Sequence, residues 1–364
     1  MEFVNKYASM KPNAAFLLLS VLGLCACGGG GNASVELPEP ITLQADSIAV
    51  EQILAPQQIA VRGDVALILS QKTDTVFYAY GLPDFRFLYK QGIRGEGPDD
   101  FFYPAICPYP SDSIFAVSQI MKNEVGLYRI DREGFSEYKT IRAEKSGICM
   151  MINDSIAVVA DYFWGQASLQ PRLYVYNLST GERTDSIPLQ TYKGTIRLGT
   201  NISSLVNDYL CVGYGSHLVL AYSLMDRMEF YQITPQGKAV FEQAVGTEEH
   251  LSETLKKYAE QQKSFDKMQN FENTPMYYLF VAYATKDHLF IRNFSGRTPL
   301  QWQQQGKDGT LGLPLDVYTW EGKLVARLQL PAEGPFAVSE KHRKIYLIDS
   351  EKDFEYVYTF SYDF

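Results

Sequence analysis

Histidine and cysteine are scarce in this chain. Four His and five Cys among 364 residues leave little material for a metal centre, and no cofactor is expected. His217, His250, His288 and His342 stand far apart, with no His-x-x-x-His spacing and no cysteine pair beside them. No phosphate-binding P-loop, nucleophile elbow or dinucleotide fingerprint occurs. Basic residues are also short, with 33 Lys and Arg against 42 Asp and Glu and a net charge of −9. Such a surface lacks the cation excess that binds a phosphate backbone by releasing counterions, so nucleic acid is excluded as a partner. What the chain does have is aromatic residues, 25 Tyr and 21 Phe, in short apolar runs between glycine and aspartate turns.

The apolar run at residues 14–24, preceded by Lys6 and Lys11, is too short for a bilayer-spanning helix of about 20 residues. It fits the apolar region of a signal peptide. The run ends in Leu24-Cys25-Ala26-Cys27 and four glycines. This resembles the bacterial lipoprotein signal, with Leu at −3, a small residue at −1 and the acylated Cys at +1. The resemblance makes residues 1–26 the signal peptide and Cys27 the lipidated first residue, and Cys25 fails because Leu24 would occupy the small position. Residues 27–40 read as a flexible tether. Cys107, Cys149 and Cys211 remain in the body, each beside an apolar neighbour, and are expected as buried free thiols.

The body, residues 41–364, repeats. A polar turn entering an apolar strand recurs at Asp64, Asp112, Asp154, Asp208, Asp287 and Arg343, spaced by 48, 42, 54, 79 and 56 residues. A second aromatic-rich strand follows each time, as at 76–80 and 228–233. About four strands per unit of roughly 40–50 residues is the pattern of a β-propeller blade. The expectation is therefore an all-β, six-bladed β-propeller. The sixth unit ends after its third strand, so the strand-like segment 41–50 is expected to close the last blade. One helical insert, residues 248–270, fills the widest gap, with Thr247 as cap and Leu251, Leu255, Tyr258 and Phe265 on one face.

After the first blade comes Gly92-Ile93-Arg94-Gly95-Glu96-Gly97-Pro98-Asp99-Asp100-Phe101. This resembles the G-x-G-P-x-E/D-F signature of the TolB-like six-bladed propeller lipoproteins of the Bacteroides group, with Asp99-Asp100 where Gly-Glu is commoner. A degenerate copy stands at 333–336. The resemblance implies a propeller in the cell envelope and no particular reaction. Gly28, which is no acidic retention signal after Cys27, leads to the expectation of the outer membrane. Two readings of the motif stay open. Gly95 and Gly97 could adopt positive φ in a structural turn, or Arg94, Glu96 and Asp100 could face the channel and touch a ligand.

Insertions fall on connections that open on one face of a propeller: the aromatic run Tyr162-Phe163-Trp164, the segment around Trp302, and the helical insert. Arg94, Glu96, Asp100, Tyr162, Trp164 and Trp302 are the candidate ligand-binding residues, with no catalytic or metal residue among them. Two functions follow. One is a membrane-anchored, non-catalytic binding or scaffold lipoprotein presenting its loop face to a glycan, peptide or envelope protein. The other is a carboxylate- or calcium-dependent hydrolase or lyase working in the channel. Asp-Ser/Thr-apolar triplets such as Asp74-Thr75-Val76 and Asp154-Ser155-Ile156 also resemble Bacteroides-group O-glycosylation acceptors. If Cys27 is the anchor, radiolabelled palmitate marks the wild type and leaves Cys27→Ser unlabelled; equal labelling of both rejects the anchor.

Overall fold

The computed structural model describes residues 38–364 except 51, 53–54, 71, 143–146, 161–171, 190–208, 224, 247–275, 299, 302–303, 305–312 and 350–354. Valine, isoleucine and aromatic residues dominate its strands, as side chains suited to a pleated, packed surface should. The sheets are six blades. Blade one is β3 (Pro56–Arg62), β4 (Val65–Ser70), β5 (Thr75–Gly81) and β6 (Arg86–Ile93). Blade two is β7 (Pro104–Cys107), β8 (Ile114–Gln119), β9 (Glu124–Ile130) and β10 (Phe135–Arg142). Blades three and four run β11 (Ile148–Met151) to β14 (Glu182–Pro188) and β15 (Tyr209–Tyr214) to β18 (Ala239–Gly246). Blade five runs from β19 (Met276–Ala284) to β22 (Leu324–Leu330). Blade six holds β23 (Phe336–Ser339), β24 (Lys344–Ile348) and β25 (Tyr356–Ser361).

The sixth blade borrows its outer strand. β2 (Ala45–Ala49) pairs antiparallel with β25, Ala45 opposite Phe360 and Ala49 opposite Tyr356. The segment expected to close the ring as one strand is in fact two. Residues Ile41–Thr42 form β1, which pairs in parallel with β22 at the rim of blade five. The N-terminal segment thus ties two blades rather than one.

Middle strands read as unbroken apolar runs because they are covered on both faces by neighbouring blades. All six residues of β4 are buried, as are the last six of β5. Outer strands face solvent; β10 and β18 each expose five of their eight residues. Buried residues divide into six clusters, and each joins two adjacent blades, including blades six and one. The core of this protein is its six seams. In blades one to five the third and fourth strands pair through a register shift, at Ala79/Tyr80, Glu137/Lys139, Val175/Tyr176, Phe230/Tyr231 and Val317/Tyr318. Such a bulge adds twist towards the rim. The borrowed strand pairs without one.

The closing seam also carries charge. Asp64 in the turn after β3 accepts a hydrogen bond from Lys341 Nζ at 2.7 Å and lies 2.9 Å from His342 Nε2, both in the matching turn of blade six. The hydrogen bond from Lys341 holds the Asp64 carboxyl below its ordinary value, against an opposing desolvation, and His342 adds to the lowering. A carboxyl with a lowered folded pKa contributes stability above its unfolded pKa and loses it as pH falls through the folded one. Because the pair is largely solvated, Asp64→Asn should cost no more than about 1 kcal/mol at pH 7. The gap to wild type in denaturant melts should close as pH falls below about 4; a gap that persists in acid contradicts the seam pairing.

Candidate functional site

The segment after β6 builds a closed turn. Arg94 donates from Nε to Thr73 O at 2.9 Å and from Nη2 to Ser70 O at 3.0 Å, so its guanidinium holds the neighbouring connection of blade one. Asp100 folds back and accepts the Gly97 amide at 3.0 Å. Lys122, from the 3-10 turn Ile120–Lys122 of blade two, donates to Gly97 O at 2.7 Å, Pro98 O at 3.3 Å and Asp100 O at 2.5 Å. Phe101 then enters the seam between blades one and two, 5.0 Å from Phe77 and 5.6 Å from Tyr128 between ring centres.

The glycines serve this turn in a way the sequence does not suggest. Positive φ falls on Gly92, at 85°, and not on Gly95 or Gly97. A Cβ on Gly95 would lie 2.2 Å from Asp100 Oδ2, and one on Gly97 2.7 Å from it. These two positions are bare so that the carboxylate can fold in. A Cβ on Gly92 would lie 2.9 Å from the Phe101 ring. The motif is therefore a lock that seats Phe101, in which Arg94 and Asp100 are engaged, while Glu96 is exposed at its tip.

The inner strands β3, β7, β11, β15 and β19 enclose a central channel with a cavity of about 350 Å³, whose lining includes Gln58, Tyr109, Cys107, Cys149, Cys211 and Tyr283. Among the described residues no carboxylate lines it. Gln58 bridges two inner strands, accepting from Ile106 N at 2.7 Å and donating to Ile106 O at 3.4 Å. Arg62, buried at the channel's end, donates to Ile114 O at 3.0 Å and Val61 O at 2.7 Å. Tyr283 reaches across from blade five to accept the Val61 amide at 2.9 Å. Burial pushes the Tyr283 hydroxyl pKa up, and the Arg62 charge pulls against it. A smaller cavity of about 190 Å³ opens beyond, lined by Asp112, Tyr214, Glu340 and Lys341. It sits among the turns joining first to second strands, at the opposite end of the inner strands from the Arg94–Asp100 turn.

The family model described as TolB-like 6-blade propeller-like matches residues 38–341, most of the chain. The chain belongs to the TolB-like six-bladed propeller family. A Bacteroides fragilis protein described as exported has a similar solved structure, at 12% identity and TM-score 0.55 over 89% of this chain and 96% of that one. A member of the duf4221 family from Bacteroides vulgatus is similar at 8% identity and TM-score 0.48, over 88% of this chain and 98% of that one. No curated protein matches the chain.

In this TolB-like propeller the sequence candidates separate. Arg94, Glu96 and Asp100 share one turn; Tyr162, Trp164, Trp302, the helical insert 248–270 and Cys27 lie outside the described residues. Of the histidines, His217 stacks on Trp320 at 5.0 Å and His342 meets Asp64, both as seam contacts. Sequence reasoning missed an exposed apolar group around the lock. Ile93 is 67% exposed, Tyr103 60%, Met121 61% and Ile120 44%. They belong together because Phe101 N donates to Ile93 O at 2.8 Å, Phe102 N to Gln119 Oε1 at 3.0 Å, and Lys122 fastens the 3-10 turn over the lock. Tyr103 holds φ at 47°, a conformation disfavoured for a side chain of its size, and packs on Phe102 at 4.9 Å. Apolar residues within turns, where no strand needs them, were the available signal.

The lock makes a double-mutant prediction. Gly95→Ala should destabilise by about 1–3 kcal/mol through overpacking. Adding Asp100→Ala removes the atom that clashes, so the double variant should lose less than the sum of the singles. Additive losses in urea melts, or a neutral Gly95→Ala, contradict the folded-in carboxylate.

Proposed function

We propose that the chain is a lipid-anchored, non-catalytic binding or scaffold protein of the cell envelope that recognises a glycan, peptide or envelope protein through its loop-bearing face. The observation that carries this reading is the exposed apolar group Ile93, Tyr103, Ile120 and Met121, held on a rigid support by the Lys122 clamp. Exposed apolar residues gathered in one place mark interaction surfaces, and a strained exposed aromatic is a suitable stacking platform. Residues 24–27 and the exported description of the Bacteroides fragilis neighbour support an envelope location, and Gly28, lacking an acidic retention signal, supports the outer membrane.

The hydrolase or lyase reading draws less support. Among the described residues no carboxylate lines the channel cavity in which such an enzyme would place its acid and base.

Glycan and peptide arrays probed with the wild type and with Tyr103→Ser/Met121→Asp test the proposal. Binding should fall at least about tenfold in the double variant, a loss of about 1.4 kcal/mol, with the melting temperature unchanged. Array signals shared equally by both proteins contradict it. A large calcium-dependent rise in melting temperature would favour the metal-dependent enzyme instead.

A further inference from the structure

Cys107, Cys149 and Cys211 lie on three successive inner strands, β7, β11 and β15, and all three line the same 350 Å³ cavity. They are free thiols in this structure. Their surroundings differ. Cys107 is buried, with its Sγ 3.8 Å from both Ala105 O and Ile148 O. Cys149 and Cys211 are half-buried and pack against the same cluster, the seam between blades three and four. A Cβ at Gly213 would lie 2.1 Å from His217 O within its own hairpin and 2.7 Å from Met150 Sδ on β11, so glycine there keeps β15 clear of both. Cys149 Sγ donates towards Gly147 O at 3.7 Å, and its thiol acts directly on that of Cys211.

We propose that Cys149 and Cys211 are the site of a disulfide that cross-links the inner strands of blades three and four, leaving Cys107 as the unpaired thiol. The inference rests on the envelope location proposed above, because disulfides persist in oxidising compartments. The oxidant is a disulfide, either on an envelope thiol–disulfide oxidoreductase or on a small disulfide such as oxidised glutathione. The Cys149 thiolate attacks one oxidant sulfur, breaking the oxidant's S–S bond and releasing one of its sulfurs as a thiolate. The Cys211 thiolate then attacks Cys149 Sγ in the mixed disulfide and releases the second oxidant thiolate. Two protein thiols become one disulfide, one oxidant disulfide becomes two thiols, and the two protons lost by the protein end on the oxidant thiols.

The geometry also says which thiol is left out. The neighbouring Cys149 thiol and burial push the Cys211 thiol well up, which slows the second, Cys211-led step in the closed ring. Burial pushes Cys107 up to about 12. Its sulfur is held between two backbone carbonyls in the seam between blades two and three, whereas Cys149 and Cys211 share the next seam.

The test uses the full chain in two arms. In the first, the protein is made with its own signal in a Gram-negative host, denatured in acid, alkylated with N-ethylmaleimide and digested without reduction. Mass spectrometry should find the Cys149 and Cys211 peptides joined, two hydrogens lighter than their sum and separated by a phosphine reductant, with Cys107 alkylated. In the second, the chain is refolded in a glutathione redox buffer, and the same bridge should form in wild type and Cys107→Ser. Reduction should then lower the melting temperature of Cys107→Ser by several degrees and leave Cys149→Ser unchanged. A bridge in the redox buffer but not from cells upholds the site and counts against the envelope reading. Alkylation of both Cys149 and Cys211 in both arms, or a bridge that uses Cys107, overturns the proposal.

Discussion

Everything in this propeller depends on the pairing of β2 with β25. A blade has no core of its own; its apolar faces are buried only by the blades beside it, and the six buried clusters each draw on two blades. In an open array of six blades the end faces would stay wet. Here the five residues Ala45–Ala49 complete blade six and bring its face onto blade one, where Val50, Ile59 and Tyr80 meet Tyr346 and Val357. The same pairing covers the free edge of β25, which would otherwise be a template for strand addition. Tyr283 and the Asp64–Lys341 pair add polar links near this seam.

A closed ring is rigid, so what varies lies on connections. The blade one to blade two connection shows how one segment can do both tasks. Gly92, Gly95 and Gly97 make room, Asp100 and Lys122 close the turn, and Phe101 fills the seam. The residues flanking this lock, Ile93 and Tyr103, are left mostly exposed and are presented outward. Fixed presentation of apolar groups favours binding, since little conformational entropy is lost when a partner arrives.

The blades were legible because their code is local. An aspartate or asparagine turn followed by Val-Ala-Leu-Ile or Ile-Ala-Val-Val announces a strand covered on both faces, and β4 and β12 (Ile156–Ala160) are such strands. Closure by the N-terminal segment was legible from an incomplete sixth unit. Its division into β1 and β2 was not, because nothing in residues 41–50 reports a parallel partner at 328–329. The glycine logic of the lock was also hidden. Positive φ and a steric need for hydrogen look alike in sequence, and the second depends on where Asp100 folds. Lys122 as clamp and Cys149 beside Cys211 are contacts between separate blades. They depend on three-dimensional register, which a turn-and-strand pattern does not encode.

The claim that N-terminal closure governs the ring is tested most directly by urea denaturation of a chain lacking residues 41–49. The account predicts a clearly lower midpoint, association of the truncated chain through the bared edge of β25, and recovery of both when a synthetic peptide of residues 41–50 is added. A truncated chain that stays monomeric and unfolds at the wild-type midpoint would contradict it.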